Sequence, residues 1–357
     1  MAWVKPKYKL NEINKAGNIL VSNNVSNEEE ENALEVLDNW RAAHGYPMHI
    51  FQMTLKKKST DIDKKSVVSQ RLKRVPAIRY KLNRIYDGDK PSVKLYQMQD
   101  IGGCRAILSD VNLARKLYDN YLKADLKHKL IRKKDYVTEP KPKDGYRSFH
   151  LVYEYKSDKG KKEFNGLFTE IQIRSRLQHL WATAVETTGF FTRQAIKSNE
   201  GGPEWIDFFR LISSAFALME GCPIIPNTPE NEKELYSEIK NKENQLNFIF
   251  KMKSWSHAIE FIDKEIKPKV GRTAKFFLLE LDILTKQIKV QYYTKKEEQK
   301  AINDYSALEK RHLGSKDYDI VLVGAENTND LRKAYPSYFL DTTEFLSYLM
   351  KIIRKYD

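Results

Sequence analysis

Cysteine is scarce in this sequence: the chain of 357 residues contains two, Cys104 and Cys222. Two thiols exclude a disulfide framework and a four-thiolate zinc site. No apolar run approaches the roughly 20 residues that a membrane-spanning helix needs. The N-terminal stretch MAWVKPKYKL also lacks the apolar core of a signal peptide. We therefore expect a cytoplasmic protein with no membrane partner.

Acidic residues are outnumbered, since 48 Asp and Glu stand against 62 Lys and Arg, for a formal net charge of +14. The excess is uneven along the chain. Residues 56–84 include eleven basic residues and two acids, and residues 121–143 include eight and three. A positive field of this kind attracts phosphate-rich partners such as nucleotides and RNA.

The apolar periodicity predicts an α+β fold with a mixed sheet flanked by helices. Strands are predicted at residues 101–108, 148–155 and 167–173. Helices are predicted at residues 26–55, 76–85, 111–122 and 176–187, with lysines at 56–58 ending the first of them. A basic loop is predicted from residue 123 to residue 145.

A second unit is predicted near the C-terminus. We divide the chain into residues 1–200, two linking helices within residues 201–253, and a small α+β domain at residues 254–357. The small domain has predicted strands at 276–283, 287–293 and 318–323, and predicted helices at 295–312, 329–334 and 341–353.

Two carboxylates stand on neighbouring predicted strands, Asp100 at the start of one and Glu170 in the middle of another. Magnesium is often held by one or two carboxylates, with waters and the substrate's phosphates as its other ligands. Taken alone, the pair would more often be two unrelated surface acids. As a pair across a sheet, they are candidate metal ligands and catalytic groups.

Basic side chains surround the start of the predicted helix 76–85. Arg71 and Lys73 precede it and Lys81 lies within it. Cations beside a helix N-terminus can hold a triphosphate. A solvated basic helix would show the same residues.

The run Gly145-Tyr-Arg-Ser-Phe-His150 combines a turn glycine with an aromatic and two basic or polar side chains. Tyr146 could stack on a base while Arg147 and His150 contact the rest of an acceptor. This combination suits a nucleotide or an unpaired RNA end. A hairpin entry with a core tyrosine is the plainer interpretation.

The order and spacing of these motifs resemble the synthetase domain of RelA/SpoT proteins. The motifs are Arg71-x-Lys73…Lys81, Asp100-Ile-Gly-Gly-Cys-Arg105, Gly145-Tyr-Arg-Ser-Phe-His150 and Glu170-Ile-Gln-Ile-Arg174, with His179 and Glu186 after them. The resemblance covers residues 45–190. One departure is Ala77, where the family usually has Ser.

The resemblance implies a pyrophosphokinase that moves the β,γ-pyrophosphate of ATP to a ribose 3′-hydroxyl. It implies these roles: Mg²⁺ on Asp100 and Glu170; ATP phosphates on Arg71, Lys73, Lys81 and Arg105; the acceptor beside Tyr146, Arg147 and His150. Glu170 is also a candidate to take the proton of the acceptor hydroxyl.

Two acceptors fit this chemistry, because both offer a ribose 3′-hydroxyl beside a stackable base. One is GDP or GTP, giving (p)ppGpp; the other is the 3′ CCA end of tRNA, whose modification blocks translation. A tRNA needs a broad basic footprint, for which the candidates are Lys56, Lys57, Lys58, Lys133 and Lys134. We expect tRNA. A catalytically inactive RNA-binding module is a third interpretation, disfavoured by the retained carboxylates and cations.

The predicted small domain contains two tyrosines three positions apart, Tyr335 and Tyr338. Such a pair most often packs, but a synthetase domain followed by this motif resembles the CapRel family of fused toxin–antitoxin proteins. That resemblance implies a pseudo-zinc-finger without metal ligands and a tyrosine segment that covers the ATP site. It also implies release of the enzyme by a phage major capsid protein, and a monomer.

Overall fold

One eight-stranded sheet runs through the described part of the chain. The computed structural model describes residues 3–83, 93–191, 202–250, 252–253, 274–282, 285, 287–313, 315, 317–324 and 343–356. The strands are β1 (Val67–Leu72), β2 (Gly102–Leu108), β3 (Lys129–Asp135), β4 (Phe149–Glu154), β5 (Phe168–Ser175), β6 (Ala274–Asp282), β7 (Gln287–Thr294) and β8 (Tyr318–Gly324). Their order across the sheet is β3-β4-β5-β2-β1-β8-β6-β7. Strands β2 and β5 are parallel and the other pairs antiparallel, which confirms the predicted mixed sheet.

Helices flank this sheet. They are α1 (Leu10–Ile19), α2 (Asn27–Ala43), α3 (Gly45–Ile62), α4 (Val75–Asn83), α5 (Val111–Lys123), α6 (Arg176–Phe191), α7 (Pro203–Glu220), α8 (Glu232–Leu246), α9 (Glu298–Arg311) and α10 (Thr343–Arg354). Side-chain caps fix several starts: Ser26 and Glu29 form a capping box, and Asp110 accepts from the Leu113 N–H. None of the helices in these described ranges has the length and apolarity needed to cross a bilayer.

The main core lies on one face of the N-terminal strands, under α3 and α5. It includes Met48, Phe51, Leu55, Cys104, Ala106, Leu117, Tyr121, Ile171 and Ile173. Because side chains alternate along a strand, the residues between these core positions project from the opposite face. Gly103, Arg105, Glu170 and Gln172 therefore share that opposite face.

A second core joins α6, α7, α8 and α10 around Trp181, Phe209 and Phe345. Tyr146 and Leu177 pack partly buried against it. This core therefore supports the segment that leads into β4.

The C-terminal strands continue the N-terminal sheet. Strand β8 pairs with β1 through Gln70↔Gly324 and Arg71↔Val323. We call β6, β7, β8 and α9 together the C-terminal unit; α9 packs on β6 and β8 through Tyr305 and its apolar neighbours. The boundaries predicted at residues 200 and 253 remain predictions, and Tyr335, Tyr338 and the predicted helix 329–334 lie outside the described residues.

Two predictions about secondary structure are wrong. The helix predicted at 26–55 is two helices that meet at His44, because Pro47 fits a first helical turn and not a helix interior. The second helix also runs through the lysines to Ile62, since Leu55 and Ser59 bury one side of it. The predicted basic loop contains strand β3, whose lysines are exposed at the sheet edge.

Candidate active site

Asp100 lies between two lysine side chains. It precedes β2, while Lys73 follows β1 and Lys81 lies in α4. Lys73 Nζ donates to Asp100 Oδ2 at 2.8 Å, and Lys81 Nζ donates to Asp100 Oδ1 at 2.9 Å. Burial acts to raise the pKa of Asp100, but the two ammonium groups outweigh it and hold that pKa below its ordinary value. The turn therefore holds an ionised carboxylate with two cations beside it.

Glu170 is bonded to two neighbours on its face of the sheet. Its Oε1 lies 3.0 Å from His150 Nδ1, and Gln172 Nε2 donates to its Oε2 at 2.7 Å. Burial acts to raise the pKa of Glu170, but the His150 charge and these hydrogen bonds lower it further than burial raises it. Burial likewise opposes the charge on His150, yet Tyr146 and Glu170 raise its pKa to about 9. At neutral pH an imidazolium therefore faces the Glu170 carboxylate.

Tyr146 closes this chain of contacts. Its hydroxyl lies 2.8 Å from His150 Nε2 and accepts from Arg174 Nη2 at 2.8 Å. Burial acts to raise the pKa of Tyr146, but Arg174 and His150 outweigh it and lower the pKa to about 7. The Tyr136 ring meets the Tyr146 ring edge-on at 6.0 Å, and Lys141 Nζ lies over both rings. The Tyr146 ring therefore has the cationic side chains of Lys141 and Arg174 beside it.

Strand register brings the sequence-predicted residues into adjacent rows on one face. One row runs Arg71, Gly103 and Glu170 across β1, β2 and β5. The next row runs Ser69, Arg105, Gln172, His150 and Lys134 across β1, β2, β5, β4 and β3. The glycine in the first row leaves space between Arg71 and Glu170. The candidates for binding ATP and Mg²⁺ (Arg71, Arg105 and Glu170) and the acceptor candidate His150 therefore share one face of the sheet.

The two predicted metal carboxylates interact electrostatically with each other and with Lys73. The charge of Glu170 acts to raise the pKa of Asp100, and the charge of Lys73 acts to lower that of Glu170, so all three groups are within electrostatic reach. Oxygen donors of this type suit Mg²⁺, which commonly takes one or two carboxylates and completes its shell with water and phosphate. In the described ranges, no three His, Cys, Asp or Glu side chains gather as a closed metal cage. The donor set fits a metal that arrives with a nucleotide.

Arg147 does not point to this surface. Its guanidinium is buried and donates to Ser213 Oγ and to the carbonyls of Val137 and Pro223. All three nitrogens are engaged in joining the loop before β4 to α7 and the chain beyond it. The prediction that Arg147 contacts the acceptor therefore needs correction: in this structure it holds the loop that carries Tyr146.

The sequence interpretation missed Gln172 and Arg174 as site residues. Both follow Glu170 at intervals of two along β5, so the alternation of a strand places them beside it. That period was present in Glu170-Ile-Gln-Ile-Arg174, and it identifies the side chains that hold Glu170 and Tyr146. Tyr136 and Lys141 gave no comparable signal, because loop geometry brings them in.

The predicted basic footprint divides between two sides of the sheet. Lys134 lies opposite His150 and so projects on the face of the candidate site, whereas Lys133 lies opposite Leu151, a core residue. Lys56, Lys57 and Lys58 belong to α3, which covers the core face. Arg132, two residues before Lys134 and exposed, lies opposite Val152 in the row of Glu170.

Comparisons with known proteins agree with the sequence resemblance at the level of this domain. Residues 70–192 match the family model described as "Region found in RelA / SpoT proteins". None of the curated proteins matches the chain. The matched range contains both carboxylates and begins one residue before Arg71.

Solved structures of similar proteins cover about half of this chain. Small alarmone synthetase 1 from Bacillus subtilis is 21% identical over 52% of this chain and 92% of its own, with a TM-score of 0.43. The same enzyme bound to its product pppGpp is 24% identical over 50% and 90%, with a TM-score of 0.42. A GTP pyrophosphokinase family protein from Streptococcus pneumoniae is 22% identical over 49% and 85%, with a TM-score of 0.38.

The domain match and the site belong to the same residues. Asp100, Glu170, Lys73 and Lys81 converge within residues 70–192. Residues 70–192 are therefore a region of the RelA/SpoT type, and this region supports a pyrophosphokinase.

Proposed function

We propose that this protein transfers the β,γ-pyrophosphate of ATP to the ribose 3′-hydroxyl at the CCA end of tRNA and so blocks translation. The observation that carries the proposal is that Asp100, with its two lysines, is within electrostatic reach of Glu170, and that Glu170 contacts His150, which contacts Tyr146. A donor triphosphate and an acceptor ribose can lie side by side beside these groups. Transfer to a hydroxyl requires chiefly positioning and charge neutralisation.

On the donor side, Lys73 and Lys81 are the cations that would hold the ATP phosphates. Their ammonium groups now bind Asp100, and a triphosphate would offer them replacement oxygens while Asp100 turned to Mg²⁺. When bound between Asp100 and Glu170, Mg²⁺ would neutralise phosphate charge. Arg71 and the largely buried Arg105 lie on the same face of the sheet, where they would add positive charge.

On the acceptor side, the ribose 3′-oxygen forms a bond to the β-phosphorus of ATP. The bond between that phosphorus and the oxygen that bridges it to the α-phosphorus breaks, and AMP leaves. The hydroxyl proton goes to a nearby base. Glu170 is the candidate, because His150 and Gln172 keep its carboxylate ionised. Tyr146, with Arg174 Cζ 5.2 Å from its ring centroid, offers a stacking face for the terminal base.

The preference for tRNA over a free nucleotide rests on the exposed edge strand. Arg132 and Lys134 project from β3 on the face of the site, beyond His150. A free nucleotide carries only its own phosphates. The CCA end of a tRNA has further backbone phosphates before its terminal nucleotide, and these would extend past the stacked base toward Arg132 and Lys134. Lys56, Lys57 and Lys58, on the other side of the sheet, would meet the body of the tRNA.

Label transfer from γ-labelled ATP tests the acceptor. We expect label on tRNA, none on tRNA that ends in a 3′-deoxyadenosine, and little on GDP or GTP. Label on GDP or GTP with none on tRNA would identify a small alarmone synthetase and refute the tRNA proposal.

We also propose that the C-terminal residues regulate the enzyme, with Tyr335 and Tyr338 covering the ATP site until a phage major capsid protein binds. The pairing of β8 with β1 supports this, because it joins the C-terminal unit to the strand that carries Arg71. A ligand that binds the open form alone shifts the population toward it. The Tyr338→Ala variant should arrest growth without phage, and normal growth of cells producing this variant in soluble form would count against autoinhibition.

A further inference from the structure

The C-terminal unit contacts residues 70–81, which we call the nucleotide segment, at two places. Strand β8 pairs with Gln70 and Arg71 at the start of the segment. In the middle of the segment, the Glu309 side chain of α9 reaches the first residue of α4, Val75. Both contacts join parts of the chain that are more than 200 residues apart in sequence.

Glu309 is a buried carboxylate set at a helix N-terminus. The Val75 N–H donates to its Oε1 at 3.0 Å, and Arg41 Nη1 lies 3.0 Å from its Oε2. The Glu309 and Arg41 side chains are 4% and 2% exposed. A carboxylate taken out of water persists when a cation and hydrogen-bond donors compensate for lost hydration, and here a backbone N–H at a helix start provides one donor.

Arg41 links Glu309 to the backbone of Lys73. Its Nε donates to the backbone carbonyl of Lys73 at 3.1 Å, and its guanidinium lies 4.6 Å from the Tyr305 ring centroid. Through Arg41, Glu309 fixes the backbone of Lys73; through Val75, it fixes the start of the helix that carries Lys81. Those two lysines converge on the two oxygens of Asp100.

We propose that Glu309 is a positioning residue of the nucleotide site: the C-terminal unit supplies the carboxylate that sets the spacing of Lys73 and Lys81. The inference rests on the proposed function of these lysines in binding ATP phosphates. It adds that the C-terminal unit helps to build the site that it regulates. Glu309 acts through Val75 and Arg41 and touches neither substrate.

The Glu309→Gln variant tests this role, because it keeps the side-chain shape and removes the charge that faces Arg41. With Tyr338→Ala present in every protein compared, to remove the proposed inhibition, we expect a non-hydrolysable ATP analogue with Mg²⁺ to bind about tenfold more weakly, as when a residue that orients a ligating group is lost. The KM for ATP should rise with little change in kcat, and tRNA should bind as to the wild type. Glu280→Gln is the matched control: Glu280 is a buried acid of the same unit, 3.0 Å from His312 Nε2, and we expect it to leave ATP binding unchanged.

A folded Glu309→Gln protein with wild-type affinity for the ATP analogue would overturn the inference. Should that variant fail to fold, the double variant Arg41→Gln/Glu309→Gln removes the unpaired buried charge. Weak ATP binding by the folded double variant supports positioning, and wild-type affinity overturns it. Lys73→Met separates the two proposals: if it binds the analogue as the wild type does, the proposed function of the lysines fails. If Lys73→Met weakens binding and Glu309→Gln does not, the inference alone fails.

Discussion

Replacing Lys73 or Lys81 by Met should weaken ATP binding, and by different amounts. Both ammonium groups bind Asp100, at 2.8 Å and 2.9 Å, but the Lys73 side chain is 20% exposed and that of Lys81 is 35% exposed. A hydrogen bond to a charged group contributes about 1.5–3 kcal/mol. The hydrogen bond of Lys81, the more exposed of the two, should contribute an energy near the lower end of this range, because water screens it.

These energies predict a rise in KM for ATP of roughly 100-fold for Lys73→Met and about tenfold for Lys81→Met. The assay titrates ATP at saturating acceptor, with the Tyr338→Ala substitution present to remove the proposed inhibition. Because one lysine still neutralises Asp100 in each variant, the melting temperature should change little. Arg79→Met is the matched control: Arg79 lies on the same helix, α4, and forms an ion pair with Glu30.

An unchanged KM in Lys73→Met would refute the reasoning. So would an Arg79→Met variant that loses as much ATP affinity as the lysine variants, because the loss would then come from damage to α4 and not from phosphate contacts.

Three further predictions concern the acceptor side and the loop beside it. Arg147→Met should reduce the free energy of unfolding, measured by urea denaturation, by about 3 kcal/mol, because all the donors of Arg147 bind protein atoms. For the same reason, the KM for both substrates should stay near wild type in the folded fraction. A selective rise in the KM for the acceptor would contradict this. Tyr146 should give a tyrosinate absorbance change near pH 7 that Tyr146→Phe abolishes, and a tyrosinate signal confined to alkaline pH would contradict the site electrostatics. The lowered pKa of Tyr146 adds stability to the folded protein that is fully present above pH 10 and is lost as pH falls through 7. The raised pKa of His150 adds stability that is present below pH 6.5 and is lost as pH rises through 9. Lys134→Glu should raise the KM for tRNA and flatten its salt dependence more than Lys57→Glu does, because Lys134 shares the face of His150; equal effects would contradict the assigned acceptor path.

Local periodicity predicted the central elements well. Strands β2, β4 and β5 and helices α5 and α6 were predicted within a few residues, because each buries an alternating or helical apolar set. Strand β3 was missed because it lies at the sheet edge and carries exposed lysines where a central strand has apolar residues. Strand β1 was missed although it lies at the centre of the sheet, between β2 and β8.

The motifs supplied the candidate site residues, while long-range pairing determined their arrangement. Gln70↔Gly324 joins residues 254 positions apart, and no local pattern specifies that contact. The engagement of Arg147 with Ser213 and of Glu309 with Val75 depends in the same way on tertiary packing. Sequence spacing could therefore propose Asp100 and Glu170 as partners but could not show that His150 contacts Glu170 or that Arg174 contacts Tyr146.

The dual attachment of the C-terminal unit has a consequence for regulation. If β8 and α9 stabilise the nucleotide segment, removing the unit would do more than relieve the proposed inhibition. Under the proposed regulation, a trigger should then relieve the inhibition while Glu309 stays on Val75. Truncation before residue 274 and substitution of Tyr338 should consequently give different ATP affinities.

The most direct test of the central claim is the nucleotide product of the reaction. With the Tyr338→Ala enzyme, Mg²⁺, tRNA and ATP labelled in the β-phosphate, label should move to tRNA and AMP should appear in equal amount. The same enzyme carrying Asp100→Asn should give neither. Formation of ADP, transfer of the α-phosphate, or transfer that survives Asp100→Asn would contradict a pyrophosphokinase site built on Asp100 and Glu170.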